Sequence, residues 1–514
     1  MKGPYLVGTD IGTSGTKSAI FDSAGDLVAE AYVESKLNCP APGVVEQDQM
    51  EFYESALTTI RECVEKAGIN PHEVAGIGVD GQMAGIGAID EEWNPVTVYD
   101  SWLDTRCEPY IQHILDTVGD QVVRLTGCAP SYNHGPKMLW WKHERPEAFR
   151  RIARFVVPGA FVAGRMAGLR AVNAFVDHTY LHFTGVADAR KREWSDELCE
   201  ALDVPKRVLP RIVEPWSVIG RLTRESADRC GLVQGTPIVA GAGDTAAGLL
   251  GSGVTETGVA IDVAGTASVL AVCIPGYCPD LVHRTMSCAR SAIPGVWYSY
   301  AYINGGGLCL RWFRDEFCKY EKEALSRAGV ESMYDVLNSE ADQVPPGSSG
   351  LIFIPHLAGR VSPNQPGLRG TWHGFSWSHT RAHFYRAMLE AIAYEYAVYM
   401  RILKELQPGV VFREVRGIAG GARSMVWNHV KADVLGIPYA VLSRSEFSVL
   451  GAAMIAGKGV GLFSDLGDTA RAFVKVISRV EPRPESRRVY DSMIERYEDL
   501  LHTCLDLQEA WAQG

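Results

Sequence analysis

Residues 5–21 read YLVGTDIGTSGTKSAIF. Three apolar residues, Tyr5, Leu6 and Val7, open a strand that ends in Gly8-Thr9-Asp10. A turn of Gly12, Thr13, Ser14 and Gly15 follows, and Lys17 opens a second strand through Ala19, Ile20 and Phe21. Short apolar runs joined by small turn residues predict a β-hairpin. Such a turn presents backbone N–H groups and hydroxyls in a concave arc, which suits phosphate oxygens. Asp10 is placed to hold Mg²⁺ through water, and Lys17 to neutralise phosphate charge. An ordinary surface hairpin has the same composition, so the reading depends on what the rest of the chain adds.

A second copy of the pattern lies in the other half of the chain. Residues 257–272, TGVAIDVAGTASVLAV, give a short apolar strand with Asp262, then Gly265-Thr266-Ala267-Ser268, then a second strand. Asp262 echoes Asp10, and Gly265-Thr266 echoes Gly12-Thr13 with a shift of one residue. No lysine matches Lys17. A phosphate-type hairpin in each half, amid alternating strands and helices, predicts two α/β domains facing one cleft. The boundary is set between them, giving residues 1–253 and 254–514.

The totals fit this size and class. A chain of 514 residues with 46% hydrophobic and 22% charged residues can bury large cores. A net charge of −11 argues against a general nucleic-acid role. The 12 cysteines are scattered without zinc-type pairs, which reads as reduced thiols in a cytoplasmic protein. MKGPYLVGTD reaches Asp10 too early for a signal peptide, and no long apolar run predicts a membrane span.

Between the hairpins, apolar spacing predicts a helix over 50–67, stopped by Gly68 and Pro71. A buried strand over 74–79 ends in Asp80-Gly81-Gln82-Met83-Ala84-Gly85, the kind of end that delivers side chains to a cleft. Ser101-Trp102-Leu103-Asp104-Thr105-Arg106 offers a flat apolar wall with hydroxyl partners, a combination suited to a polyol. Asp244 follows a strand over 238–240 at an N-cap position. Tyr302-Ile303-Asn304-Gly305-Gly306-Gly307 ends one strand and opens a helix. After a strand over 415–418, Gly420-Gly421-Ala422 precedes a helix over 425–435, where backbone can approach a flat ring or a phosphate closely. The tail from Glu485 reads as a polar helix on the surface.

No Walker A loop is present, because GTSGTKS lacks the Gly directly before Lys. Gly241-Ala242-Gly243-Asp244-Thr245-Ala246 meets the form of a dinucleotide fingerprint, with Asp262 about 20 residues on. That alternative implies an NAD-dependent oxidoreductase. Against it, Asp244 would crowd a pyrophosphate, and Asp262 leads straight into the repeated hairpin.

Taken in order, these segments resemble the FGGY family of carbohydrate kinases, which share the fold of actin and the heat-shock ATPases. DIGTSGTKSAIFD resembles the first phosphate loop, and VEQD the acidic segment ahead of the first helix. DGQMAG resembles the GQMHG loop of xylulokinases, and AGAGDTAAGLLGSG the segment of the catalytic base. VAGTAS resembles the second phosphate loop, and AGGARSMVWNHVKADVLGIPYAV the adenosine segment. GLRGTWHGFSWSHTRAHFYRAMLEAIAY resembles the C-terminal signature, with Phe375 where a smaller aliphatic is usual.

The resemblance implies two actin-like (ribonuclease H-like) domains with a catalytic cleft between them. It implies phosphoryl transfer from MgATP to a sugar hydroxyl, with Asp244 as general base and Asp10 as the Mg²⁺-associated acid. Thr13, Ser14, Lys17, Gly265 and Thr266 match phosphate contacts; Gly306, Gly420, Gly421 and Ala422 match nucleotide contacts. Gln82, Met83, Trp102 and Asp104 match the sugar pocket together with Asp244. The default substrate is a ketopentose such as D-xylulose, and a homodimer is common in relatives. Two departures open other ketoses, branched sugars or sugar alcohols: Ala84 replaces the usual His, and YDSWLDTR replaces the commoner WNDxR form. A non-catalytic ATPase on the same fold is the remaining alternative, and it leaves Asp244 without a task.

Overall fold

A computed structural model describes residues 3–329, 332–444 and 446–512. Two large mixed sheets organise them. Across the first run Val218–Arg221, Pro237–Val239, Val74–Gly81, Tyr5–Ile11, Gly15–Asp22 and Leu27–Glu34. Across the second run Ser287–Arg290, Trp297–Ile303, Ser268–Ile274, Val259–Ala264, Glu414–Ile418, Tyr439–Leu442 and Val476–Val480. Both share one plan. Three strands form an antiparallel meander whose innermost member is the first strand of the predicted hairpin. That strand then pairs in parallel with Val74–Gly81 in the first sheet and with Glu414–Ile418 in the second.

Register carries the functional residues. Asp10 stands opposite Lys17 on the neighbouring strand and Asp80 on the other side. Helix Gln49–Ala67 covers one face of the first sheet, capped by Asp48 and ended by Gly68 in the left-handed conformation. Thr9, Ser18 and Thr59 hydrogen-bond in series beneath it.

The opposite face is covered by a helix from far along the chain. Phe447–Gly459 leaves the second sheet and lies on strands Tyr5–Ile11 and Val74–Gly81. It can do so because Gly8 and Gly78 carry no side chain: a Cβ at either would collide with the carbonyl oxygen of Val449 or Ala452. The same helix crosses Asp244–Gly251 at backbone contact, where Gly251 faces the Phe447 carbonyl and Gly451 faces the Ala247 carbonyl.

The second sheet is backed by helices Arg381–Leu406 and Met425–Leu435. The terminal helix Pro484–Ala512 is more than a polar surface element. Its Tyr490 and Tyr497 are buried and bind Glu390 and Glu395 of Arg381–Leu406 at 3.0 and 2.6 Å. The Pro345-Pro346-Gly347 turn is tied to the same helix, since Gly347 N donates to Glu390. Among the described residues no helix is long and apolar enough to cross a membrane. All 12 cysteines are unpaired thiols.

Candidate active site

Each hairpin tip, at 12–15 and 265–267, joins the first two strands of its meander. The first tip closes on itself through Gly12 N donating to Gly15 O at 3.0 Å. The second is pressed against the start of helix Gly306–Phe317, with Leu308 N donating to Thr266 O at 3.1 Å. Gly306 and Gly307 permit that approach, since a Cβ there would overlap Ser268 or the Gly265 carbonyl. A helix N-terminus beside a glycine-rich tip attracts phosphate.

A cavity of about 620 Å³ runs from this tip along Gly420 and Gly421 toward Tyr334, Asn338 and Trp427. It gathers Gly265, Thr266, Gly420 and Gly421 from the expected nucleotide set. Two members fall elsewhere. Gly307, not Gly306, lines this cavity, because Gly306 is packed on Ser268. Ala422 turns to a separate groove with Glu30 and Glu446. Gly421 needs its missing side chain, since Trp427 and Ala264 crowd it.

A smaller cavity of about 150 Å³ lies between the two halves and brings together Gln82, Met83, Trp102 and Asp244. Tyr132, Phe183, Tyr300 and Tyr302 complete its aromatic walls, and Ala84 sits on its rim with a left-handed backbone, φ 61°. Asp104 is not among the lining residues. Its carboxylate accepts from Val45 N at 2.8 Å and from Arg106 Nε at 2.9 Å, so it anchors the Trp102 loop rather than meeting a sugar. Among the described lining residues there is no Lys or Arg.

Asp244 is the first residue of helix Asp244–Gly251, one position inside the expected cap, which Gly243 occupies. Gly241 sets up this turn: its φ of 78° lets the backbone press against the Val79 carbonyl. Thr245 N donates to Asp244 Oδ1 at 2.5 Å and Thr245 Oγ1 to the same oxygen at 3.2 Å. Asp244 Oδ2 has no hydrogen-bond partner among the described residues. Burial, and then the Asp10 carboxylate, push Asp244 up to about 7, against the pull of Thr245. A carboxylate poised there is well matched to proton abstraction.

Asp10 Oδ2 accepts from Ser448 Oγ at 2.9 Å, while Oδ1 is buried and unpartnered. Beside it Asp80 is fully buried, faces Asp10 carboxyl to carboxylate and has no other partner among the described residues; burial, followed by the charge of Asp10, raises it well above the usual carboxylate range. Asp80 had a legible signal, a strand end aimed at a cleft, yet was not singled out. Lys17 pairs with Glu30 at 3.1 Å and with Glu446. Ser14 is exposed, and its carbonyl accepts from Tyr32 Oη at 2.7 Å.

Asp262 corrects the echo of the two hairpins. Asp10 lies one pair from the end of its ladder and Asp262 two pairs from the end of its own, so their side chains face opposite ways. Asp262 is buried against Lys431 and accepts from Tyr396 and Tyr439 Oη, each at 2.7 Å. It is fully buried and engaged through both oxygens, out of reach of a ribose, so the dinucleotide fingerprint is met in form only. A further cavity of about 830 Å³ lies among residues 125–212, and its rim charges pair with one another, as in Lys191–Asp188 and Lys206–Asp196.

Comparison with known proteins agrees with this architecture. Residues 5–251 match the N-terminal domain of the FGGY family of carbohydrate kinases, and residues 262–460 match its C-terminal domain. The chain is 26% identical to xylulose kinase of Bacillus subtilis (strain 168) over 508 residues, 98% of each chain. It is 28% identical to gluconokinase of the same strain over 496 residues, 95% of this chain and 94% of that one. The crystal structure of a xylulose kinase from Brucella ovis superposes with a TM-score of 0.86 at 25% identity, covering 98% of this chain and all of that one. The chain therefore belongs to the FGGY family of carbohydrate kinases, phosphotransferases that act on sugars.

Proposed function

We propose that this enzyme transfers the γ-phosphoryl group of MgATP to a hydroxyl of a small neutral sugar, a ketopentose such as D-xylulose, with Asp244 as general base. The observation that carries the reading is Asp244 itself, held through Oδ1 by Thr245 on a cavity lined from both halves. A sugar hydroxyl in that cavity gives its proton to Oδ2 as the oxygen attacks phosphorus. Phosphoryl transfer asks mainly for positioning and charge stabilisation. The tips at 12–15 and 265–267 grip phosphate, and Gly307, Gly420 and Gly421 line the nucleotide's path. Residues 1–253 supply the sugar pocket, first tip and base; residues 254–514 supply the second tip and nucleotide cavity.

The residues fit Mg²⁺. Asp10 and Asp80 are buried side by side with no other residue donating to Asp10 Oδ1 or to either Asp80 oxygen among the described residues, and Mg²⁺ commonly takes one or two carboxylates plus substrate phosphates. Asp10 would hold the ion, which when bound supplies charge neutralisation to the phosphates. Free thiols at all 12 cysteines support a reducing, cytoplasmic setting.

Relatives named for xylulose and for gluconate match the chain equally well, so identity does not choose the substrate. Charge supports a neutral sugar: among the described residues no Lys or Arg lines the cavity, so a sugar acid would face Asp244 without a counter-charge. Ala84 leaves room for another ketose, a branched sugar or a sugar alcohol. The test is ADP release from MgATP across ketopentoses, polyols and aldonates. We expect turnover with a neutral sugar, at least about 10³-fold lower in Asp244→Asn. Turnover with aldonates alone would overturn the neutral-sugar reading, and full activity in Asp244→Asn would remove Asp244 as the base.

A further inference from the structure

Thr13 stands at the tip of the first hairpin, yet its hydroxyl points back toward the sugar cavity. Trp102 Nε1 donates to Thr13 Oγ1 at 2.8 Å, and Thr13 Oγ1 donates to Gln82 Oε1 at 3.1 Å. Gln82 Nε2 donates to Gln47 Oε1 at 2.8 Å, and Gln47 Nε2 returns to the Thr13 carbonyl at 3.2 Å. Gln47, from the VEQD segment ahead of the first helix, is 2% exposed and Gln82 is 1% exposed. The two amides are therefore shielded from water while Thr13 is half-buried, and Gln47 fixes which way the Gln82 amide points.

A threonine hydroxyl has one proton. Here it goes to Gln82, so Thr13 cannot also donate it to a phosphate oxygen. Gln82 and Trp102 line the sugar cavity. Gln82 Oε1 has a second lone pair, and a sugar hydroxyl donating to it shares the acceptor and weakens its hold on the Thr13 proton. We propose that Thr13, oriented by Gln82, Trp102 and Gln47, couples the two substrate sites: sugar on Gln82 releases the Thr13 hydroxyl to phosphate, and each substrate tightens the other. The inference rests on the proposed function and adds the order of events within it. Linkage requires the effect to be reciprocal.

The experiment is calorimetric titration of adenylyl imidodiphosphate with Mg²⁺ into the full-length protein. With saturating D-xylulose the wild type should bind it about five-fold tighter or more than without sugar. Without sugar, Gln82→Leu should already bind about five-fold tighter than wild type, because the competing acceptor is gone. Thr13→Val should cancel both gains, and the double variant should match Thr13→Val alone, which isolates the pair. Melting curves of each variant check that it is folded.

If Gln82→Leu gains nothing, or the double variant keeps the gain, the coupling is overturned. If Gln82→Leu gains and D-xylulose has no effect on the wild type, the coupling stands and the sugar assignment fails. If the analogue does not bind the wild type, both fall.

Discussion

Asp244 is asked to be a charge in a place that resists charge. Its carboxyl moves from 3.8 to about 7 on folding, chiefly through burial and then through Asp10. Between those values the unfolded chain has released the proton and the native protein still holds it. Native stability therefore falls as pH rises through this window and levels off above about 7. Asp244→Asn keeps an oxygen for Thr245 and removes the charge, so it should abolish turnover and yet stabilise the fold. The gain should be on the order of 2 kcal/mol at pH 8 and should shrink toward zero near pH 4. Thermal melts of both proteins at pH 4, 6 and 8 check this. A variant no more stable than wild type at pH 8 would mean that Asp244 is charged without penalty in the native cleft.

The crossing of helices Asp244–Gly251 and Phe447–Gly459 sets where that carboxylate stands. Gly451 faces the Ala247 carbonyl with no room for a methyl group. Gly451→Ala must push the helices apart, costing about 1–3 kcal/mol. It must also shift Asp244, and a misplacement of about 1 Å can cost 10²-fold in rate. Gly248 lies on the same helix with open space at its Cβ position, so Gly248→Ala should stabilise by about 0.5–1 kcal/mol with activity kept. Urea midpoints of the two variants should move in opposite directions, and kcat should fall in Gly451→Ala alone. Equal effects would mean that the crossing does not hold the base.

Legibility in the sequence differs by element for the same kind of reason. The helix over 425–435 is legible with its observed bounds, because Gly436 and Pro438 punctuate the chain locally. The strands of both hairpins were equally local. Facing was not. One residue of shift in a strand reverses a side chain, and no local signal told that Asp262 lies on the core face while Asp10 lies on the cleft face. The partners of Asp104 are hidden in a similar way, since Val45, far off in sequence, reaches it only in the folded loop.

At the scale of the molecule, the two-sheet plan could be read from the repeated hairpin, but the path of the chain between the sheets could not. Helix Phe447–Gly459 follows the second sheet in sequence and completes the first one in space. Val449, Leu450, Ala453, Met454 and Ile455 are each at most 1% exposed, and Gly8 and Gly78 accept the helix directly on backbone. Residues 1–253 alone therefore lack one covering layer of their own sheet. A sheet with a bare apolar face is a site of aggregation rather than a stable surface. We expect a 1–253 fragment to lack a cooperative unfolding transition and to bind a hydrophobic dye. Joining residues 447–459 to its end through a flexible Gly/Ser linker should restore a sharp transition, because the helix then docks within the same molecule at high effective concentration. If the bare fragment melts as sharply as the whole chain, the helix is a lid on an autonomous domain. If only the joined fragment does, the two halves are one folding unit, and any displacement of one sheet against the other passes through the crossing that carries Asp244.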